Sequence, residues 1–416
     1  MRLPRPSRTR SRLLLAGLTG LLLTAAAAVV AVPGTAAAAT LKVTYTGPDS
    51  APYRAPTKLS AVIALGDSGY AGATVTFRVG TASCTATSAG DGSASCTLAP
   101  ADKPGYYGVS VRAESDAGRV GTFSTFRIEK AATTLAYTGT KYIANDEPAR
   151  LAAVLKDGAG QAVENRTVQF ALGTGANEQK CDAATDTGGT ASCTVAKVDQ
   201  PLNENGTVPV SGAFAGDDYY LSSGDSATVL LQYVTGRAYG AFAAVDLLLF
   251  PVTLPPQPDT GAVRTARATV TKPPCSAEID APGLEFDAVC ADVTTSLAPG
   301  TSVAHTTVES ARIGLPGLPV IELSGVEAVS TSTCQKAAGT TGLTLKIAGK
   351  QIDVPDVPNT EIDLGLARLV VNEQIPVADA DHGLTVNAVH LQDAAGLIDV
   401  VVGSATSDAH NCPPTA

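Results

Sequence analysis

Residues 84 to 96 read CTATSAGDGSASC and residues 181 to 193 read CDAATDTGGTASC, two cysteine pairs at one spacing with a glycine-rich middle and an Ala-Ser-Cys ending. The flanks match as well: VTYTG at 43–47 against LAYTG at 135–139, PTKLSAVI at 56–63 against PARLAAVL at 148–155, TVTF at 74–77 against TVQF at 167–170. The chain repeats itself with a period of about ninety residues, and self-similarity at a fixed period is the mark of a repeated structural module.

Inside each copy the apolar residues alternate, Val75 and Phe77 against Thr74 and Thr76, and the runs are bounded by Gly, Asp, Asn and Pro. Short half-buried strands at this density predict a β-sandwich in each copy. The antibody pattern, a bridge crossing between the two sheets with a Trp packed on it, does not fit, because the chain has no Trp. Eleven residues separate Cys84 from Cys96 and Cys181 from Cys193, around Gly90-Asp91-Gly92 and Gly188-Gly189. This spacing predicts two strands leaving one tight turn with the cysteines opposite each other, a disulfide stapling a hairpin. Closing a loop that short contributes about 3 kcal/mol.

These residues resemble the bacterial immunoglobulin-like repeats of exported actinobacterial proteins: the opening YTG, the Cys-x11-Cys segment, and AFAGDDYYLSS at 213–223 as closing strand and turn. The first copy departs from that ending with RAESDAGRVGTFS. The resemblance covers residues 40 to 233, as repeats 40–129 and 130–233, and implies a spacer or adhesive module without catalysis.

Ahead of the repeats, Arg2, Arg5, Arg8, Arg10 and Arg12 precede an apolar run from Leu13 to Val32, then Pro33, Gly34 and small residues. That order predicts a secretory leader over 1–39, an uncleaved anchor being the alternative. Beyond it no second apolar span and no C-terminal sorting signal is read, so the expected product is secreted, extracellular or loosely envelope-associated. Without the leader, 24 of the 29 basic residues face 39 acidic ones and the net charge moves from −10 to −15. So acidic a surface disfavours nucleic acid and anionic lipid as partners.

Eight cysteines follow the leader: Cys84, Cys96, Cys181, Cys193, Cys275, Cys290, Cys334 and Cys412. An even number in an exported chain, without a CxxC pair, predicts structural disulfides rather than metal ligands. The last four allow three pairings. Cys275 with Cys290 encloses a hairpin-sized loop and Cys334 with Cys412 ties down the C-terminus, and this pairing is preferred.

After Gly236 aromatic residues nearly vanish, Phe286 alone following Phe250, but alternation continues. In LTLKIAGKQIDV at 343–354, Leu343, Leu345 and Ile347 face one way, with a turn expected at Gly349-Lys350. Strand-length runs at 318–334, 360–373, 384–392 and 397–406 complete a second all-β domain over 234–416, a sandwich or a curled sheet. The segments AYGAFAAVDLLLFPVTLPPQPDT at 238–260 and LTVNAVHLQDAAGLIDVVVGSATSDAHNC at 384–412 resemble the choice-of-anchor P family of exported actinobacterial proteins. That resemblance implies no assigned activity.

Few residues suggest chemistry. Gly66-Asp67-Ser68-Gly69 carries letters seen around catalytic serines, but the second copy has Asp157-Gly158-Ala159-Gly160 there, and His305, His382, His390 and His410 all belong to the other domain. Ser68 is read as a turn residue. Asp379, Asp381 and His382 could face a cation, yet Asp and His before a Gly are ordinary turn residues; Asn145, Asp146 and Glu147 could do so near the junction between the repeats, yet the first copy has YRAP there. Asn165 and Asn205 fit a glycosylation pattern that means little here. No catalytic residue, metal or cofactor is expected, and the ligand is left open. Three functions follow: a non-enzymatic structural, adhesive or partner-binding protein with the repeats as spacer; a polysaccharide-binding module using Tyr106-Tyr107 and Tyr219-Tyr220; or a hydrolase pairing His390 with Asp379, Asp381 or Asp399.

Overall fold

Strand alternation becomes burial directly: in Thr74–Val79 the side chains of Val75, Phe77 and Val79 are fully buried while Thr74 and Arg78 are exposed. The computed structural model describes residues 39–297 and 300–414, and the predicted leader as far as residue 38 lies outside them. Within the described residues the chain is all-β: two immunoglobulin-like sandwiches in tandem, then a larger sandwich.

In the first sandwich one sheet joins Leu41–Tyr45, Thr57–Leu65 and Ser93–Leu98. The other runs in the order Ser50–Pro52, Gly118–Glu129, Gly105–Ser115, Thr74–Val79, Ala82–Thr87. The second sandwich repeats this order, with Thr133–Tyr137, Ala149–Asp157 and Thr190–Val195 facing Tyr142–Ile143, Ser223–Leu231, Thr207–Phe214, Thr167–Leu172 and Gln179–Ala184. The chain changes sheets right after its first strand, since Ser50–Pro52 and Tyr142–Ile143 each pair in parallel with the last strand of the opposite sheet.

The repeated YTG makes that crossing. Tyr45 donates its hydroxyl to the Pro48 carbonyl at 2.5 Å, and Tyr137 donates to Thr140 O at 3.1 Å. A Cβ at Gly47 would lie 2.6 Å from the Tyr45 hydroxyl and 2.9 Å from the Ser60 nitrogen, and one at Gly139 would lie 2.5 Å from the Tyr137 hydroxyl and 2.8 Å from the Ala152 nitrogen. The corner closes only around glycine, because the phenol and a neighbouring backbone occupy the space a side chain needs.

The hairpin staple is corrected. Cys84 lies on Ala82–Thr87, the edge of the five-stranded sheet, whereas Cys96 lies on Ser93–Leu98, which pairs with Thr57–Leu65 in the other sheet. The turn between them crosses the sandwich, anchored by buried Ser88, whose hydroxyl accepts from Ala73 N at 2.9 Å and donates to Tyr70 O at 2.7 Å. Cys181 and Cys193 sit likewise on edge strands of opposite sheets. Both bridges span 6.1 Å between Cα atoms and close the open edge of a sandwich. The loop length, and so the entropic contribution, is unchanged; what it constrains is the pairing of two sheets.

Gln232 alone separates Ser223–Leu231 from Tyr233–Leu247, the first strand of the third sandwich. One of its sheets runs Phe250–Asp259, Tyr233–Leu247, Ile398–His410, His382–Gln392, Arg368–Pro376, Thr360–Asp363. The other runs Thr269–Thr271, Leu284–Ser296, Thr301–Ile313, Ile321–Ser332, Ala337–Ile347, Lys350–Ile352. The inner faces are dominated by Val, Ala, Ile and Leu, with Phe286 the fully buried ring. The sheets approach closely at Gly240, where a Cβ would sit 1.8 Å from Val289 Cγ1. The expected turn at Gly349-Lys350 lies one residue earlier, at Ala348 (φ 51°) and Gly349 (φ 74°), with Ile347 opposite Lys350. The run at 360–373 is two strands rather than one, turned back at residues 364–367. Disulfides join Cys275 to Cys290, with Cα atoms 4.4 Å apart beside the hairpin pair Ser276 and Val289, and Cys334 to Cys412, 5.2 Å apart across the two sheets.

Candidate interaction surface

The residues first suspected of chemistry are held by turns. Ser68 opens the exposed two-residue strand opposite Leu65, past Gly66 at φ 63°. Asp157 in the second repeat accepts the N–H groups of Ala159 and Gln161, both at 2.9 Å, so the shared Asp-Gly composition is turn chemistry. Asp381 accepts Cys412 N–H at 2.8 Å and clamps the chain beside a disulfide. Asn145 is fully buried; its amide donates to Gln200 O at 2.8 Å and Ala266 O at 3.0 Å, bracketing the second repeat to the third sandwich. Asp146 pairs instead with Lys197 at 3.0 Å.

His390 does meet one acid named with it in the hydrolase reading. Asp399 lies 3.0 Å from its Nε2, while Glu373, absent from that reading, lies 2.8 Å from Nδ1 and accepts from Asn387 at 2.7 Å. Asp379 and Asp381 lie elsewhere: Asp381 is beside Ala409, whereas His390 pairs with Val401. A carboxylate on each ring nitrogen favours the protonated imidazole, and no hydroxyl or thiol nucleophile faces it among the hydrogen-bond partners of the described residues.

Burial disfavours the His390 cation, but the hydrogen bond to Glu373, its charge and Asp399 outweigh it and raise the pKa above 6.5. Burial likewise opposes the Glu373 anion, and the bonds from His390 and Asn387 win, holding it below 4.5. The sign follows from linkage. The raised His390 contributes stability that is complete below about pH 6.5 and is lost as pH rises through the folded value; the lowered Glu373 contributes above about pH 4.5 and is lost as pH falls. The contribution of this pair to the third sandwich is therefore greatest between about pH 4.5 and 6.5. His390→Gln flattens that maximum and costs about 1–2 kcal/mol there, allowing for screening at half-exposed Asp399. Denaturant titrations at stepped pH of the native chain and the variant measure this.

The tyrosines divide by role. Residues 215–222, which in the second repeat replace the tight Asp116-Ala117 turn of the first, carry Tyr219 and Tyr220 to the junction between the repeats. There their ring centroids lie 5.0 and 5.6 Å from Tyr53, Lys103 pairs with Asp218 at 2.5 Å, and Lys130 donates to Asp217 O at 2.6 Å. These rings hold modules together and offer no platform. Tyr107 packs on the core, and Tyr106 stays 81% exposed on the same sheet face as Phe123, 77% exposed. The second junction is bonded more heavily: besides Asn145, Asn411 donates to Gly206 O at 2.8 Å and Leu231 O at 2.9 Å, Arg264 donates to Glu204 O at 2.9 Å, and Arg267 pairs with Asp199.

The end of the third sandwich away from this junction is chemically distinct. It is closed by residues 248–249, 282–283, 314–320, 348–349, 364–367 and 393–397. Five of these connections carry no polar side chain, and the sixth carries only Asp393, whose carboxylate accepts the N–H groups of Ala395, Leu397 and Ile398. Burial opposes the Asp393 anion, and those bonds outweigh it and hold its pKa low. Leu248 and Leu249 occupy the two turn positions between Leu247 and Phe250 and are 97% and 93% exposed; Leu366 is 71% exposed. In the sequence LLLF at 247–250 resembles core, as any apolar run does; its one sign of a turn is that Asp246 and Pro251 bound it closely.

No family model matches this sequence and no curated protein does. The likeness to the choice-of-anchor P family thus rests on the segments quoted above. Among solved structures, the chain is similar to invasin, a bacterial integrin-binding protein, at 15% identity over 88% of this chain and 78% of that one, TM-score 0.39. It is also similar to a tetra-tandem repeat from the extending region of a large adhesion protein, at 14% identity over 90% and 100%, TM-score 0.28. A bacterial ice-binding adhesin follows at 13% identity over 90% and 98%, TM-score 0.22. At these scores the superpositions assign neither partner nor activity to this chain.

Proposed function

We propose that this chain is a non-enzymatic secreted or cell-surface protein with an adhesive or partner-binding role, its two disulfide-bridged repeats serving as spacer and its C-terminal sandwich as the contacting head. The observation that carries the reading is the far end of that sandwich, where leucines stand almost wholly in solvent on loops bare of polar side chains. Exposed apolar surface of this kind marks contact sites in soluble proteins. The bonded junctions support the spacer role, since each fixes one module against the next. The test is retention of residues 40–416 on washed, detergent-free cell envelopes. Retention surviving high salt is expected, and recovery of all the protein in the wash sinks the reading.

Tyr106 and Phe123, exposed together on the first repeat, favour polysaccharide contact as a second reading. The pair Tyr106→Ala and Phe123→Ala lowers retention on insoluble polysaccharide about tenfold if that reading holds, and leaves envelope retention unchanged if the head carries binding.

A further inference from the structure

We infer that the far end of the third sandwich seats on the hydrocarbon boundary of an uncharged lipid layer, with Leu248, Leu249 and Leu366 entering it. The inference rests on the proposed role of that sandwich as head and names its partner. A protein partner asks for hydrogen bonds as well as apolar area, typically one per 100–200 Å² of interface. The connections themselves offer no free side chain to make one: five have none that is polar, and Asp393 is consumed by its own turn.

Backbone groups are the other obstacle to meeting hydrocarbon, because an unpaired N–H or C=O there is costly. Around the tips at Leu248-Leu249 and Leu366, which make no turn bond of their own, the connections bond to one another or close on themselves. Gly314 N–H reaches Gly283 O at 2.7 Å, Ala348 N–H reaches Val320 O at 2.8 Å, Asp246 N–H reaches Leu397 O at 2.8 Å, and Leu364 N–H reaches Ala367 O at 2.9 Å.

Depth and lipid type follow from what surrounds the leucines. Charged side chains begin at the strand ends just inside, Lys350, Asp363 and Arg368 first, then, one position further in, the bases Arg312 and Lys346 among a larger number of acids that includes Asp246, Glu285 and Glu322. They stop entry at the headgroup level, as in shallow interfacial binding. Both signs are present there, and the chain as a whole is acidic, so headgroups without net charge are the fitting ones.

The experiment is flotation of residues 40–416 with phosphatidylcholine vesicles, alongside the same protein carrying Leu248→Asp and Leu249→Asp. Native protein is expected to float with the vesicles irrespective of salt, and the double variant to partition about tenfold less or worse. Because both leucines are almost fully exposed, the variant keeps the native unfolding midpoint; Leu366→Asp provides an independent second site. Envelope retention without vesicle binding overturns the lipid inference and leaves the head reading standing with a protein or glycan partner. Absence of both removes both. Binding confined to anionic vesicles and lost in salt, or undiminished in both leucine variants, also overturns it.

Discussion

Replacing Cys334 and Cys412 together by serine lowers the stability of the C-terminal sandwich by about 4 kcal/mol, the largest effect expected of any bridge in the chain. The sequence separation is 78 residues, against 12 for each repeat bridge and 15 for Cys275–Cys290, and the entropy removed from the unfolded chain grows with the loop closed. The bridge joins the sheets at the end facing the second repeat. Otherwise they are linked there by small hydroxyl contacts, Ser330 and Ser332 each reaching the Ser407 hydroxyl, at 2.7 and 2.8 Å. Losing the bridge also frees the segment in which Asn411 grips Gly206 and Leu231, so the junction loosens with the fold. Urea unfolding followed by far-ultraviolet circular dichroism reads the loss. A change below about 1 kcal/mol would mean that the bridge constrains little in the unfolded chain.

Phe286→Ala costs about 3–5 kcal/mol in the same sandwich. Phe286 is fully buried between Ile279 and Ala311 on the neighbouring strands, among valines and alanines too short to close on the space it leaves. Phe286→Leu keeps most of that volume and costs under about 2 kcal/mol. The contrast between the two variants in denaturant midpoint is the measurement; equal losses would show that ring shape, rather than cavity volume, decides the packing.

Much of the architecture is local in origin and therefore legible. Alternation at 74–77 marks Val75 and Phe77 as core, and alternation at 343–347 marks Leu345, because one face of a strand is either buried or not. The repeated YTG is visible before its reason is: the crossing from sheet to sheet needs the tyrosine hydroxyl and the missing Cβ together. Turn composition similarly identifies Ser68 as a hairpin residue without any knowledge of its neighbours.

Composition misleads where a residue's role depends on distant chain. Asn145 looks like a cation ligand and is a buried bracket between modules, and Tyr219 and Tyr220 look like a sugar platform and are a junction. His390 gains its partner Glu373 from a strand 17 residues away in sequence, a pairing that no spacing rule indicates.

The chain by itself determined its all-β class, its repeat, the inward face of each strand and the turns between strands, since these depend on φ, ψ preference and on side-chain period within a few residues. Only the tertiary structure decided which sheet each strand joins. Alternation states which face is buried but not which neighbour lies alongside, so the turn after Cys84 could return the chain or carry it across, and it carries it across. For the same reason only the fold could separate leucines that fill a core from Leu248 and Leu249, which the strand ends deliver into solvent.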